Sequence, residues 1–146
     1  MITPLQIRKA TAADLQAIEH ILQANNLMSD DIVHHLQHFF VAESEGTIVG
    51  TIGMEMYETT GLLRSAAVLP SYQNQGIGDK LVTSMDGYAR EQGIEEIVLL
   101  TTNASKYFTQ KGYMKINRNE IKGEVLTSNQ FNGACPSTAI SMRKKL

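Results

Sequence analysis

Cysteine, proline and net charge are all scarce in this sequence. The one cysteine, Cys135, cannot form an internal disulfide or build a thiolate metal cage alone, so we predict a reducing compartment and a cytoplasmic protein. The three prolines are scattered rather than gathered in a linker. The formal net charge of -2, with acids and bases interspersed, lacks the basic field with which nucleic-acid-binding proteins neutralise phosphates. Nucleic acid is therefore not predicted as a partner.

Long hydrophobic runs are missing too. No stretch approaches the roughly 18 apolar residues of a membrane span, and the N-terminus lacks a basic region followed by an apolar core, so no membrane association is expected. What is present is 146 residues, of which 42% are hydrophobic and 19% charged, the balance of a soluble globular protein. We predict one domain over residues 1–146.

Hydrophobic periodicity predicts an α/β fold that begins with a short strand at Leu5 and Ile7. A helix follows from a capping-box-like start at Thr11 and Asp14. A second short helix is predicted to turn four apolar residues toward the core, namely Ile32, Val33, Leu36 and Phe39.

From Phe39 the period changes to that of strands. A hairpin is expected over 39–43 and 48–57, and a central strand over 62–69. A long helix then ends at Gly93, and the apolar run 97–100 reads as a buried strand parallel to the central one, because a helix connects the two. A short helix over 105–111 and strands over 113–116 and 139–142 complete a mixed sheet flanked by helices.

A glycine loop joins the central strand to the long helix, with the pattern Gln73-x-x-Gly76-x-Gly78. The order strand, glycine loop, helix suits a phosphate, because residues without Cβ let backbone N–H groups close on an anion at the positive helix N-terminus. The pattern is neither a Rossmann fingerprint nor a P-loop. An ordinary strand-to-helix turn is the alternative.

The segment 68–78 resembles the acyl-CoA-binding motif Arg/Gln-x-x-Gly-x-Gly/Ala of the GNAT superfamily of N-acetyltransferases. The resemblance extends to the order of elements and implies a GNAT-like fold, acetyl-CoA as co-substrate, no metal, and an acceptor amine. It implies that Val68 offers its backbone to the pantetheine arm. Asn103 and Phe108 fall at positions where the family contacts the cofactor, with a helix cap as the alternative for Asn103. The loop residues assigned to the cofactor are Gln73, Asn74, Gln75, Gly76, Ile77, Gly78 and Asp79.

Three further segments resemble the branch of that family named for arsenic resistance. They are 62–65, 99–102, and the tail with Phe131, Cys135 and Pro136. The resemblance implies acetylation of a small, anionic, amino-acid-like molecule such as an arsenical or another toxin. Because one fold serves many substrates, a non-catalytic acyl-CoA sensor and a protein N-acetyltransferase remain alternatives. A homodimer is also left open.

The catalytic residues depart from the family pattern. The usual tyrosine acid lies four residues before the glycine that ends the short helix, and that position holds Phe108, so Tyr107 is the nearest candidate acid and simple packing its alternative. The central strand carries no carboxylate. We assign the base to Glu55 rather than Glu58, since residues three apart on a strand face opposite ways, and a solvated strand end is the alternative.

Arg64 is a charged residue inside the otherwise apolar central strand. A guanidinium there is costly unless it is paired, and its fork matches a carboxylate or phosphinate. We predict that Arg64 binds the anionic end of the substrate, with a salt bridge to Glu55 as the alternative. His34 and His38 lie one helical turn apart, but two imidazoles alone make an incomplete metal site, so a solvated helix face is predicted. Cys135 is assigned to packing.

Overall fold

The computed structural model describes residues 5–134 and 138–146. Cys135 and Pro136 lie outside the described residues. The strands are β1 (Gln6–Lys9), β2 (Phe39–Ser44), β3 (Thr47–Tyr57), β4 (Thr60–Val68), β5 (Glu96–Thr101), β6 (Met114–Ile116) and β7 (Ile140–Lys145). The α-helices are α1 (Leu15–Ala24), α2 (Ile77–Glu91) and α3 (Ser105–Gln110).

The strands form one mixed sheet in the order β1-β2-β3-β4-β5-β7-β6. Strands β4 and β5 pair in parallel, from Thr60–Glu96 to Leu62–Val98, because α2 connects them. The pairs β1–β2, β2–β3, β5–β7 and β6–β7 are antiparallel. The predicted α/β fold with a central mixed sheet flanked by helices is confirmed.

The chain divides into two compact units. The first comprises Met1–Met54 and Ser65–Tyr88, and the second comprises Glu55–Arg64 and Ala89–Leu146. The single domain expected from the chain length stays a prediction.

The core of the first unit lies between α1 and β2. The apolar stripe of α1, formed by Ile18, Ile21 and Leu22, packs with Phe39 and Val41. The ring of Phe39 needs the glycine that faces it in the β2–β3 register, because a Cβ at Gly53 would collide with the ring.

The core of the second unit joins β4 and β5 to the segment after β6. Leu62 and Val98, neighbours in the parallel register, are buried with Ile121 and Val125. Tyr57 packs against this cluster and is half-buried.

The capping box predicted at Thr11 and Asp14 is present, but it begins a 3-10 turn, Ala12–Asp14, that leads directly into α1 at Leu15. Thr11 N–H donates to Asp14 Oδ2 at 2.8 Å in a capping box. The same carboxylate accepts both terminal nitrogens of Arg8, at 2.9 and 3.0 Å. The Arg8 hydrogen bond outweighs burial and lowers the pKa of Asp14 to about 2.

The predicted second helix is wrong. Two 3-10 turns stand in its place, Ile32–His34 and Leu36–His38, and Phe39 begins β2. Val33 was expected in the core but is 59% exposed, because a 3-10 turn of this length cannot hold an α-helical stripe. His38 is also not on a purely solvated face: its Nδ1 lies 2.8 Å from the Tyr88 hydroxyl, and burial, with Lys9 nearby, lowers its pKa.

A search of the described helices for a membrane span finds none with the necessary combination of length and apolar character.

Candidate functional site

The loop before α2 is exposed and has two residues in left-handed conformation, Asn74 with φ 65° and Gly76 with φ 81°. A Cβ added to Gly76 would meet nothing within 4 Å, so the backbone rather than packing calls for glycine there. The carbonyl of Gly76 accepts the N–H of Lys80 at 3.2 Å. The N–H groups before Lys80 therefore stand at the start of the helix, where an α-helix has no acceptor of its own. This arrangement suits an anion.

The side chain of Gln73, in this loop, hydrogen-bonds to neighbouring segments. Its Nε2 donates to the Val68 carbonyl at 3.0 Å and lies 3.4 Å from Asn25 Oδ1. Asn25 Nδ2 approaches the same carbonyl at 3.3 Å. Because the Val68 oxygen already accepts two amides, a pantetheine contact at that oxygen would have to replace one of them. The direct role of Gln73 in cofactor binding stays a prediction.

Gly50 on β3 sets how closely the start of α2 approaches the sheet. A Cβ at Gly50 would lie 3.1 Å from Leu81 Cδ1 and 3.3 Å from Ile77 Cγ2, tighter than ordinary van der Waals contact. Glycine at this position therefore seats the first turns of the helix and, with them, the loop that precedes it.

Arg64 and Glu55 form a buried ion pair in the second unit. Arg64 Nη1 donates to Glu55 Oε2 at 2.8 Å, and the side chains are 1% and 0% exposed. The alternative of a salt bridge is therefore observed, and a solvated Glu55 is wrong. Glu58, by contrast, is exposed just beyond β3 with φ 54°. Binding of a substrate anion by Arg64 stays a prediction.

Two hydroxyl groups extend this ion pair. Tyr57 lies two residues after Glu55 on β3, and its hydroxyl donates a hydrogen bond to Glu55 Oε1. The side chain of buried Ser128 hydrogen-bonds the Tyr57 hydroxyl. Desolvation, followed by the bond to Glu55, raises the pKa of Tyr57 to about 12.

The helix α3 carries the remaining candidates. Phe108 is buried and meets the rings of Tyr107 and Tyr113 edge to face, with centroids 5.1 and 5.4 Å apart. Tyr107 thus packs against Phe108, which was the alternative to its role as an acid. That role stays a prediction. Asn103 is exposed and does not cap α3: the residue at the cap is Ala104, whose N–H donates to Thr101 Oγ1 at 3.0 Å.

The structure brings Glu55 and Arg64 together, as one of the two sequence hypotheses required. The loop 73–79 and Val68 belong to the first unit, whereas the assigned residues on β3, β4 and around α3 belong to the second. Sequence reasoning missed Tyr57 and Ser128. The signal for Tyr57 was available, since residues two apart on a strand share a face.

Residues 35–115, more than half of the chain, match the family model described as the acetyltransferase (GNAT) domain. The chain belongs to the GNAT family. A relative from Chlorobaculum tepidum, an uncharacterized N-acetyltransferase, is 32% identical over 120 residues, which cover 77% of this chain and 77% of the relative. This GNAT protein is an N-acetyltransferase with acetyl-CoA as its co-substrate.

Several amino-acid acetyltransferases are similar in sequence to part of this chain. One from Ectopseudomonas mendocina is 30% identical over 80 residues, 53% of this chain and 18% of that protein. The matched region thus spans about a fifth of that relative. The N-acetylglutamate synthase of Neisseria gonorrhoeae, solved with coenzyme A and N-acetyl-glutamate, has a TM-score of 0.86 at 21% identity, over 100% of this chain and 36% of that one. This likeness shows a common fold.

Proposed function

We propose that this GNAT enzyme acetylates the amine of a small, anionic, amino-acid-like molecule. The observation that carries the proposal is the buried pair of Arg64 and Glu55, 2.8 Å apart. A buried ion pair is seldom more stable than apolar residues of the same volume, so stability alone gives little reason to keep one. The similarity to amino-acid acetyltransferases supports an acceptor that carries both an amine and an acidic group.

The donor is bound, in this proposal, by the start of α2. The amides of residues 75–79 hold the pyrophosphate of acetyl-CoA, because they lie in an exposed loop, with Gly76 in left-handed conformation, at the positive end of the helix. Val68 guides the pantetheine arm. Asn103 and Phe108 complete the assigned cofactor contacts, Asn103 from an exposed position and Phe108 through its buried ring.

The acceptor is bound through Arg64, whose planar fork matches a carboxylate or phosphinate. An acceptor anion competes with Glu55 for the guanidinium. Glu55, whose bond to Arg64 the acceptor anion then weakens, accepts a proton of the acceptor ammonium. Tyr107 is the candidate acid for the leaving thiolate. Arsenical amino acids are proposed as further candidate acceptors, which only the sequence resemblance to the arsenic-resistance branch supports.

A screen of acceptors tests the function. Thiol release from acetyl-CoA is measured for acidic amino acids, for their phosphinate and arsenical analogues, and for the matched amines that lack the acidic group. We expect the anionic acceptors to exceed the matched amines at least tenfold in kcat/KM. Faster turnover of the uncharged amines contradicts the proposal, and binding of CoA without turnover of any acceptor indicates a sensor instead.

The variant Arg64→Lys separates the two roles of the arginine. Loss of the planar fork should raise the KM of the anionic acceptor about tenfold, while the affinity for CoA stays unchanged. If Arg64 serves only the fold, the variant lowers the melting temperature and affects every acceptor alike. Calorimetry with CoA and steady-state kinetics with two acceptors measure both outcomes.

A further inference from the structure

Among the described residues of the second unit, a partly accessible tyrosine lies beside the buried charges. Glu55 is 0% exposed, Ser128 3% and Arg64 5%, whereas Tyr57 is half-buried. Its hydroxyl donates to Glu55 Oε1. A proton that moves between a bound amine and Glu55 therefore has a direct route through the Tyr57 hydroxyl.

We propose that Tyr57 is a catalytic residue that relays the proton of the acceptor ammonium to Glu55. The inference rests on the proposed function, because it requires an ammonium acceptor and Glu55 as the base. It adds Tyr57, at the end of β3, to the removal of the ammonium proton, which sequence reasoning assigned to Glu55 alone.

The relay moves two protons together. An N–H bond of the acceptor ammonium breaks and its proton bonds to Tyr57 Oη, while the original Oη–H bond breaks and that proton bonds to Glu55 Oε1. The amine and Glu55 become neutral together, and Tyr57 is a phenol before and after. The neutral amine then attacks the thioester carbon, the C–S bond breaks, the candidate acid Tyr107 gives its proton to the leaving sulfur, and the second proton of the nitrogen restores the phenol of Tyr107. The proton on Glu55 returns through Tyr57 to water.

The surroundings of Tyr57 fit this role. Ser128 Oγ accepts the N–H of Gln130 at 3.1 Å, which leaves its own hydrogen to be donated to Tyr57 Oη. The phenol ring packs against the cluster of Leu62 and Val98, which restricts the movement of the side chain. With a pKa near 12, the phenol stays protonated at neutral pH and transmits a proton without accumulating as phenolate. The relay does not depend on a tyrosine acid at position 108, where this chain has phenylalanine.

The test compares Tyr57→Phe with Tyr88→Phe. The first variant keeps the packed ring and loses the hydroxyl. The second is a matched control, since Tyr88 is also half-buried and its hydroxyl also contacts a side chain, His38. Both are assayed with two acceptors that share the acidic group and differ in the pKa of the amine.

For the ordinary amine, Tyr57→Phe should lower kcat/KM about a hundredfold, at the low end of the loss for a removed acid or base. For the amine of low pKa, which is already neutral at the assay pH, the loss should shrink below about tenfold. Tyr88→Phe should change neither. An equal loss for both acceptors, or less than about a threefold loss for the ordinary amine, overturns the relay.

Two further measurements keep the outcome clear. Ser128→Ala removes the group that orients Tyr57 Oη. It should lower kcat/KM less than Tyr57→Phe does, with the same dependence on the acceptor. An equal loss of kcat/KM for both acceptors overturns the relay even if Tyr57→Phe does not fold. The unaltered protein is assayed first. If it turns over no anionic acceptor, the proposed function fails; if it does and the variants show no dependence on the amine, the relay alone fails.

Discussion

Replacing Gly76 with aspartate tests whether the loop before α2 binds a phosphate. The position has φ 81° and open space around an added Cβ, so the side chain itself meets no obstacle. Asparagine at the same position is the matched control, because it has the shape of aspartate without the charge, and because Asn74 already adopts φ 65° in this loop. The difference between the two variants therefore measures charge.

The size of that difference follows from Coulomb's law. Two unit charges about 5 Å apart repel by about 3 kcal/mol at an effective dielectric constant of about 20, and by less than about 1 kcal/mol in bulk water. Since residue 76 is exposed, we expect an intermediate value of about 1–2 kcal/mol, or roughly a 5- to 30-fold weaker affinity for CoA in Gly76→Asp than in Gly76→Asn.

Calorimetric titration with CoA measures the two affinities, and the gap should narrow in high salt, where the Debye length falls from about 10 Å to about 3 Å. Equal dissociation constants for the two variants at low salt would refute the assignment of the pyrophosphate to this loop.

Three other predictions concern stability and titration. Gly53→Ala should lower the free energy of unfolding by about 2–3 kcal/mol, because its methyl group collides with the ring that faces it on β2. Gly87→Ala, in open space within α2, should instead raise it by about 0.5–1 kcal/mol. Chemical unfolding that shows no loss for Gly53→Ala contradicts the packing. Arg8 lowers the pKa of Asp14 from 3.8 to about 2, so Asp14 should contribute about 2 kcal/mol to the free energy of unfolding above pH 3.8 and lose this contribution as the pH falls toward 2. An Asp14→Asn variant whose stability has the same dependence on acid argues against this. Ultraviolet titration of the folded protein should show one tyrosine with a pKa of about 12 that disappears in Tyr57→Phe, and an unchanged titration curve speaks against the bond to Glu55.

Much of the fold could be predicted because local signals agreed with the tertiary structure. The alternation along β2 and β3 and the helix between β4 and β5 gave the antiparallel and parallel pairs. The region after α1 could not be predicted, since the apolar residues at Ile32, Val33 and Leu36 have helical spacing but occur in two 3-10 turns. Propensity is a weak guide where segments are this short.

The candidate site was predictable only where one segment carried the signal. The loop 73–78 encodes its own backbone conformation through Gly76, so a single motif was enough to identify it. The partner of Arg64 depends instead on how β3 and β4 lie side by side, and the sequence left two hypotheses open. Ser128 could not be found from sequence, because its contact with Tyr57 joins residues far apart in the chain.

The two outer strands of the sheet bear on how the protein behaves at high concentration. β1 and β6 are the ends of the strand order, and each is short: β1 has 4 residues and β6 has 3. Both carry a lysine, Lys9 on one and Lys115 on the other. An unpaired strand edge is a template for aggregation, and short edges that bear lysine or arginine are a common protection against it. Copies of this chain that meet edge to edge would therefore bring like charges together over a few residues, which disfavours the continuous strand pairing from which fibrils grow.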